Sequence, residues 1–157
     1  MVRFFGNIEA KVDTKGRVFI PAQFRKQLTA DSEEKLIMRK DVFQDCLVLY
    51  PKSVWNEELD ELLLRMNKWK GTHQHILRQY MSDLEIVVPD SSGRILITKR
   101  YLQLASIQTD IRFIGVGNKI EIWSKEKTEQ PFMSPEVFSA ELEKLMSDSE
   151  ATDKIDD

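Results

Sequence analysis

The sequence is poor in cysteine, glycine and proline, and each scarcity excludes a class of protein. Cys46 is the single cysteine among 157 residues, so neither an internal disulfide nor a cysteine-based metal cluster can form. Six glycines and five prolines are too few for a fibrous or low-complexity chain. No apolar run approaches bilayer-spanning length, and the N-terminus lacks the apolar stretch of a signal peptide. We therefore expect a compact globular protein of the cytoplasm, without a membrane segment.

Sequence motifs of catalysis and cofactor binding are also lacking. There is no Gly-rich phosphate loop, Ser-centred elbow or Cys–His nucleophile motif. His73 and His75 are the only histidines, and on a helix this spacing points them to different faces, as solvent-facing polar residues rather than metal ligands. Cys46 lies in a strand-like run and is expected to be a small buried hydrophobe. We expect no enzyme, no cofactor, no metal and no small-molecule substrate.

The chain has slightly fewer basic than acidic residues, and the two kinds are unevenly distributed along it. The formal net charge is −3. Residues 124–157 carry four lysines and ten acids, a net −6, whereas residues 1–123 carry nineteen basic and sixteen acidic residues, a net +3. Residues 1–30 alone hold six basic and two acidic residues. An acidic C-terminal segment therefore masks a basic N-terminal region that could meet an anionic partner.

Two segments share one pattern, Asp-Thr-Lys-Gly-Arg at residues 13–17 and Asp-Ser-Ser-Gly-Arg at residues 90–94. Aspartate at the first position of a turn accepts backbone N–H groups, and glycine at the fourth adopts a positive φ. Apolar and β-branched residues flank both segments, which predicts hairpin turns between strands. Pro21 then fits the first position of a helix, and Thr98 fits an N-cap.

The two turn segments are 77 residues apart, which is too far for a solenoid repeat and suits a duplicated half-domain. We divide the chain into a first repeat with a helical hairpin (residues 1–84), a second repeat with a C-terminal helix (85–146) and an acidic disordered tail (147–157). Ser53 is predicted to cap the longest helix, which Gly71 ends, and a second helix is predicted over 72–84. Ser134 and Pro135 are predicted to start the last helix.

The residues alone leave two interpretations of the turns open. Asp13 with Arg17, and Asp90 with Arg94, could simply close each turn through a local ion pair. Alternatively, a rigid turn within a basic segment holds Lys15 and Arg17 outward, as recognition of phosphates and base edges requires.

The motif around the first turn, with the shorter second copy, resembles the MraZ family. The matching residues are Phe4, Gly6, Asp13, Lys15, Gly16, Arg17, Val18, Ile20, Pro21, Ala22, Phe24 and Arg25, then Asp90, Gly93, Arg94 and Ile95. The resemblance spans residues 3 to about 146 and extends to the AbrB/MazE group of swapped-hairpin DNA-binding domains. It implies a mainly β (α+β) fold, a double-split β-barrel of two pseudo-symmetric halves with a connecting helical hairpin and a C-terminal helix.

The resemblance also implies a function. Members of the family form ring-shaped homo-oligomers and regulate the bacterial division and cell-wall gene cluster by binding repeated promoter boxes in double-stranded DNA, which implies a nucleoid-associated location. In a ring, weak contacts by each subunit add up along successive boxes. The helical hairpin could supply subunit contacts through Trp55 and Trp69, or it could only cover the barrel.

Site roles transfer from the family residue by residue. Lys15 and Arg17 match the basic DNA-contacting positions of the first motif, and Arg94 matches the second. Asp13, Gly16, Asp90 and Gly93 are assigned to shaping the loops. Ser92 replaces the lysine and Thr98 the proline of the first copy, so the first loop is expected to contact DNA more than the second. The competing hypothesis is a ring-forming scaffold or protein-interaction module whose basic tips meet acidic proteins.

Overall fold

The computed structural model describes the backbone of residues 3–156 and the side chains of residues 3–148. Contacts divide the chain into two compact units, one up to Lys127 and one from Thr128 onward. The elements in chain order are β1 (Phe4–Lys11), β2 (Arg17–Phe19), α1 (Ala22–Ala30), β3 (Leu36–Lys40), β4 (Leu47–Pro51), α2 (Lys52–Arg65), α3 (Gly71–Ser82), β5 (Glu85–Val87), β6 (Arg94–Leu96), α4 (Lys99–Leu104), β7 (Asp110–Gly117), β8 (Ile120–Ser124), a short 3-10 helix (Lys125–Thr128) and α5 (Pro135–Asp156).

Six strands form one antiparallel sheet whose order shows the internal duplication. The order is β1-β7-β8-β4-β3-β5. The first strand of each half, β1 or β5, pairs with the third strand of the other half, β7 or β3. The last strands, β4 and β8, pair with each other at the centre. Exchanging the two halves therefore reproduces the same order, so the two repeats share one sheet.

A second ladder, β2 with β6, fixes the pseudo-two-fold axis. Val18 pairs with Ile95, and these residues are 77 positions apart, the same offset as the two turn segments. In the large sheet Val48 pairs with Glu121, 73 positions apart. Equivalent residues meet each other only on a symmetry axis. The axis therefore passes through both ladders, and the second half has a middle loop four residues shorter.

The central strands are buried on both faces because two apolar clusters pack against the large sheet. Alternating residues of β3 and β4 divide between the clusters: Leu36 and Met38 belong to the larger one and Ile37 to the smaller one. The larger cluster includes α1 and α4 side chains from both halves. The smaller one includes Trp55 of α2 and, at its edge, Tyr80 of α3. The halves therefore share a core, as expected for strand exchange.

The predicted hairpins at the two turn segments are wrong in one respect. Each turn does connect two strands, but β1 pairs with β7 and β2 pairs with β6, so the strands joined by a turn belong to different sheets. Within each turn the backbone bonds are local: Asp13 N donates to Arg17 O at 2.9 Å and Gly16 N donates to Asp13 O at 3.0 Å, and Asp90, Gly93 and Arg94 repeat both bonds. A turn motif fixes the local reversal of the chain, whereas the partner of each strand is a long-range choice.

The predicted bounds of the helical hairpin need two corrections. The first helix, α2, begins at Lys52 with Pro51 at the N-cap position, and Ser53 Oγ instead donates to Glu33 Oε1. It ends at Arg65, not at Gly71, which begins α3. Asn67 explains the early end, because its backbone N–H donates to His73 Nδ1 and its side chain accepts from Trp69 N in the connecting loop. The longest described helix is α5, not α2.

Two other predicted helix starts agree with the structure, and a third is displaced by one residue. Thr98 caps α4 and accepts a 3.5 Å bond from Tyr101 N. Ser134 Oγ accepts from Val137 N at 3.3 Å, and α5 begins at Pro135. Pro21 lies at the N-cap position of α1, one residue before the predicted position.

The predicted α+β class with two pseudo-symmetric halves, a connecting helical hairpin and a C-terminal helix is confirmed. The side chains of residues 149–157 lie outside the described residues, as does the backbone of residue 157. The tail predicted to be disordered over 147–157 overlaps α5, whose backbone is helical as far as Asp156.

Candidate nucleic-acid interface

The first turn is organised by the carboxylate of Asp13. Its Oδ1 accepts hydrogen bonds from the backbone of Lys15 at 2.9 Å and Arg17 at 2.8 Å. Its Oδ2 accepts from Arg17 Nε at 2.9 Å. One side chain therefore fixes both the backbone of the turn and the orientation of the arginine that follows it.

The second turn repeats this network. Asp90 Oδ1 accepts from the backbone of Ser92 and Arg94, both at 2.9 Å, and Oδ2 accepts from Arg94 Nε at 3.0 Å. In both turns the pKa of the aspartate is held below its ordinary value, chiefly by the backbone N–H of Arg17 or Arg94. Both carboxylates thus remain ionised and bonded at neutral pH.

Glycine is required at the fourth turn position for two reasons. Gly16 and Gly93 have φ values of +87° and +85°, which side chains resist. A Cβ would also lie too close to the other half, 2.4 Å from the Ile97 carbonyl oxygen at Gly16 and 2.5 Å from Arg25 Cδ at Gly93. The carbonyl of Gly16 accepts from Ile97 N at 2.7 Å, and that of Gly93 accepts from Ile20 N at 3.0 Å. The two turns are therefore fastened to each other across the pseudo-two-fold axis.

Between the turns, the β2–β6 ladder presents one exposed face, which we call the ladder face, formed by Arg17, Phe19, Arg94 and Leu96. Successive residues of a strand point to opposite sides, and the buried Val18 and Ile95 occupy the inner side. Arg17 lies opposite Leu96, and Arg94 opposite Phe19. The two arginines are diagonal neighbours, which in such a ladder lie about 7–8 Å apart, within reach of long side chains.

Both arginines are half-exposed, with 37% and 33% of their side chains accessible. Within the described residues, only Nε of Arg17 and of Arg94 is hydrogen-bonded, which leaves the terminal nitrogens available to a ligand. The local ion pair and outward presentation were alternative interpretations of the sequence, and the geometry combines them. The ion pair orients the guanidinium without burying it.

Sequence reasoning missed two contributors to this surface, Phe19 and Leu96, which are 56% and 52% exposed. The guanidinium carbon of Arg94 lies 5.8 Å from the centroid of the Phe19 ring, within cation–π range. The alternation of Arg-Val-Phe and Arg-Ile-Leu at equivalent positions was a usable signal. It predicts that each arginine shares a face with the residue two positions later.

Sequence reasoning also missed the position of Arg25, which the first-repeat motif contained without an assigned role. Its Nε donates to the carbonyl of Ile20 at 2.8 Å. Its side chain lies directly against Gly93 of the second turn. The sequence gives no signal for this contact, because Arg25 is 68 residues from the turn that it touches.

Cys46, His73 and His75, the other residues considered for chemistry, have structural surroundings and form no site among the described residues. Cys46 is buried, and burial raises the pKa of its thiol to about 12. His73 is half-buried and accepts from Asn67 N at 2.9 Å, so it is not simply solvent-facing, whereas His75 is exposed beside Arg78. Within the described residues no His, Cys, Asp and Glu side chains cluster as metal ligands would. Likewise, none of the helices in that part of the chain has both the length and the apolar character needed to cross a bilayer.

Two repeats that exchange their first strands around a pseudo-two-fold axis define the swapped-hairpin class of α+β domains. The basic turns of this domain meet at one ladder on that axis. Within this class the chain belongs to the MraZ family. The model of the MraZ protein family, antitoxin-like by its description, matches residues 4–79 and 85–148.

Curated relatives agree with this assignment. A protein of Bacteroides thetaiotaomicron named Transcriptional regulator MraZ is 69% identical over 153 residues, which cover 98% of each chain. A Bacteroides fragilis protein of the same name is 66% identical over 97% of this chain and 96% of its own. A more distant one from Christiangramia forsetii is 35% identical over 83% of each chain.

Proposed function

We propose that this protein is a sequence-specific DNA-binding transcriptional regulator. The observation that carries the proposal is the ladder face, on which turns of identical geometry orient Arg17 and Arg94 toward solvent. Arginine held in a fixed orientation suits bidentate contacts with phosphates and guanine edges. The names of the relatives, Transcriptional regulator MraZ, support the same class.

In this proposal the residues divide into contacting and shaping groups. Lys15, Arg17 and Arg94 contact the DNA. Lys15 is exposed on the first turn, where a flexible ammonium would neutralise a phosphate. The aspartates and glycines of the two turns hold the contacting side chains in place. The concentration of cations in residues 1–30 supplies the long-range attraction that non-specific DNA binding needs.

We further propose that the protein acts as a ring-shaped homo-oligomer on repeated promoter boxes of the division and cell-wall gene cluster, at the nucleoid. The α2–α3 hairpin supports self-association, because Leu64 and Trp69 are 87% and 85% exposed, although Trp55, also expected at subunit contacts, is buried in the smaller cluster. Removing apolar side chains of this size from water lowers the free energy of the system and so favours association. Each subunit can then bind weakly while the ring binds tightly. The division into repeats 1–84 and 85–146 belongs to this proposal.

The test is a titration of the wild-type protein and Arg17→Ala with the duplex upstream of its own gene and with a scrambled duplex. We expect the wild type to prefer its own upstream DNA and the variant to lose that preference while keeping its thermal unfolding profile. Arg65→Ala is the matched control, because Arg65 is an exposed arginine on α2. An Arg17→Ala variant that binds like the wild type would refute the assignment.

The alternative function is a ring-forming scaffold or protein-interaction module, which the exposed apolar hairpin also favours. It predicts that the protein binds both duplexes equally weakly. Light scattering should then show oligomers of the same size for the wild type and for Arg17→Ala. A clear preference for the upstream duplex would exclude it as the sole function.

A further inference from the structure

The two turns differ in one cationic side chain, and the structure shows where its replacement lies. The first turn carries Lys15, whereas Ser92 occupies the equivalent position of the second turn. Arg25 reaches the second turn from α1. A Cβ atom at Gly93 would stand 2.5 Å from Arg25 Cδ and 2.8 Å from its Nη1, so any other residue at position 93 would displace the Arg25 side chain.

This contact has no counterpart in the first turn. The residue equivalent to Arg25 in the second half, 77 positions later, is Leu102, which packs against the core. At Gly16 the corresponding Cβ would meet the Ile97 carbonyl and the Leu96 side chain instead of a cation. The departure from two-fold symmetry therefore places one additional cation beside each turn: Lys15 within the first, and Arg25 against the second.

The guanidinium of Arg25 is fixed by one hydrogen bond, and its terminal nitrogens can still bind a ligand. Nε is bonded to the Ile20 carbonyl, and the N–H of Ile20 itself donates to the Gly93 carbonyl at 3.0 Å, so the arginine is tied to the backbone that anchors the second turn. Within the described residues neither terminal nitrogen is hydrogen-bonded or sealed from solvent. Three carboxylates line the same groove: Asp90 is bonded to Arg94, Glu33 accepts from Ser53, and Glu34 is exposed to solvent.

We propose that Arg25 is a DNA-contacting residue of the second turn, where its guanidinium binds a backbone phosphate in place of the lysine that Ser92 replaces. The second turn then carries two cations, Arg25 and Arg94, as the first carries Lys15 and Arg17. This inference rests on the proposed DNA-binding function. It also revises the expectation that the first turn dominates, because both turns contribute to phosphate binding.

The test is the salt dependence of binding to the upstream duplex for the wild type, Arg25→Gln and Arg25→Lys. Loss of one phosphate contact lowers the log–log slope by about 0.9 per engaged subunit, so between 50 and 200 mM salt Arg25→Gln loses roughly 3.5-fold less affinity than the wild type does. Arg25→Lys is expected to keep the wild-type slope, because lysine also binds phosphate. If Arg25 were purely structural, the salt slope would not depend on the charge at position 25, and Arg25→Gln and Arg25→Lys would have the same slope.

Lys26→Gln is the matched control, since it removes the same charge from the next, exposed position of α1. An unchanged slope for Arg25→Gln, or an equal drop for Lys26→Gln, would overturn the proposal. If Arg25→Gln does not fold, modification of wild-type arginines by phenylglyoxal decides the matter. The duplex should protect Arg25 but not Arg65, and an unprotected Arg25 would refute the contact.

The same experiments separate this inference from the function on which it rests. If the wild type does not prefer its upstream duplex, the proposed function fails. If the wild type does prefer it and Arg17→Ala loses the preference while Arg25→Gln keeps the full slope, only the role of Arg25 fails.

Discussion

Gly16→Ala tests whether the first turn needs glycine for its contact with the other half as well as for its backbone angle. A Cβ at Gly16 would lie 2.4 Å from the carbonyl oxygen of Ile97, which is backbone and cannot rotate away. Gly117 offers a control with the same angle but without the contact, since its φ is +89° and no atom lies within 4 Å of a Cβ there. The difference between the two variants therefore isolates the close approach.

The expected magnitudes follow from these geometries. Forcing a side chain into the left-handed region costs about 1–2 kcal/mol, which both variants share. In Gly16→Ala the ladder must also shift and strain the 2.7 Å bond from Ile97 N to Gly16 O. Loss of such a bond costs about 1 kcal/mol. We therefore expect Gly16→Ala to lower the free energy of unfolding by about 2–3 kcal/mol and Gly117→Ala by about 1–2 kcal/mol.

The assay is urea unfolding of the two variants and the wild type, monitored by tryptophan fluorescence. A protein of this size changes its Tm by about 2–4 °C for each kcal/mol, so thermal scans provide a second measurement. The unfolded-state effect of replacing glycine by alanine is common to both variants and cancels. Equal losses in Gly16→Ala and Gly117→Ala would refute the argument that the turn is fastened through this contact.

Three further predictions concern the turns and the smaller core. Because the pKa values of Asp13 and Asp90 are below the ordinary 3.8 in the folded protein, their stabilisation is complete above pH 3.8 and is lost as the pH falls through the folded-state values, which unfolding scans between pH 6 and pH 2.5 should show. Phe19→Leu removes the ring beneath Arg94, and the loss of an exposed cation–π contact should weaken binding of the upstream duplex about 2- to 5-fold in the same titration. Arg39→Ala should lower the free energy of unfolding in urea by about 3 kcal/mol, because it removes a buried cation–π contact and a charged hydrogen bond.

Each of these predictions has a control and a contrary outcome. Asp13→Asn should show a shallower acid-induced loss than the wild type, and an identical loss would contradict the pH argument. Phe19→Tyr keeps the ring and should keep the affinity, whereas equal effects of leucine and tyrosine would exclude a role for the ring. Arg65→Ala breaks only an exposed pair on α2 and should cost less than about 0.5 kcal/mol. If Arg39→Ala lowers the free energy of unfolding by as little as Arg65→Ala does, the cation–π contacts of Arg39 contribute little.

Local chemistry made much of the structure predictable. The two turn segments, the capping residues Thr98 and Ser134 and the approximate helical hairpin all follow from interactions within a few residues. Errors occurred where a distant group competed with a local preference. Ser53 suits a helix cap, but it bonds to Glu33, twenty residues earlier in the chain.

The candidate site divides in the same way. Both aspartate–arginine networks could be predicted from the spacing of the residues, because donor and acceptor lie four positions apart. The ladder face could not, since it requires β2 to pair with β6 rather than with the strand that precedes its own turn. A three-residue strand carries too little pattern to specify its partner.

The sequence by itself determined that this chain contains two copies of one turn, each with an aspartate that orients an arginine and a glycine that permits the turn. The tertiary structure alone decided that the two copies share one ladder, and that Arg25 lies against Gly93 of the opposite repeat. The physical reason is the range of the interactions. Turn geometry is fixed by hydrogen bonds within five residues, whereas strand exchange and the placement of Arg25 depend on burying a core to which both halves contribute.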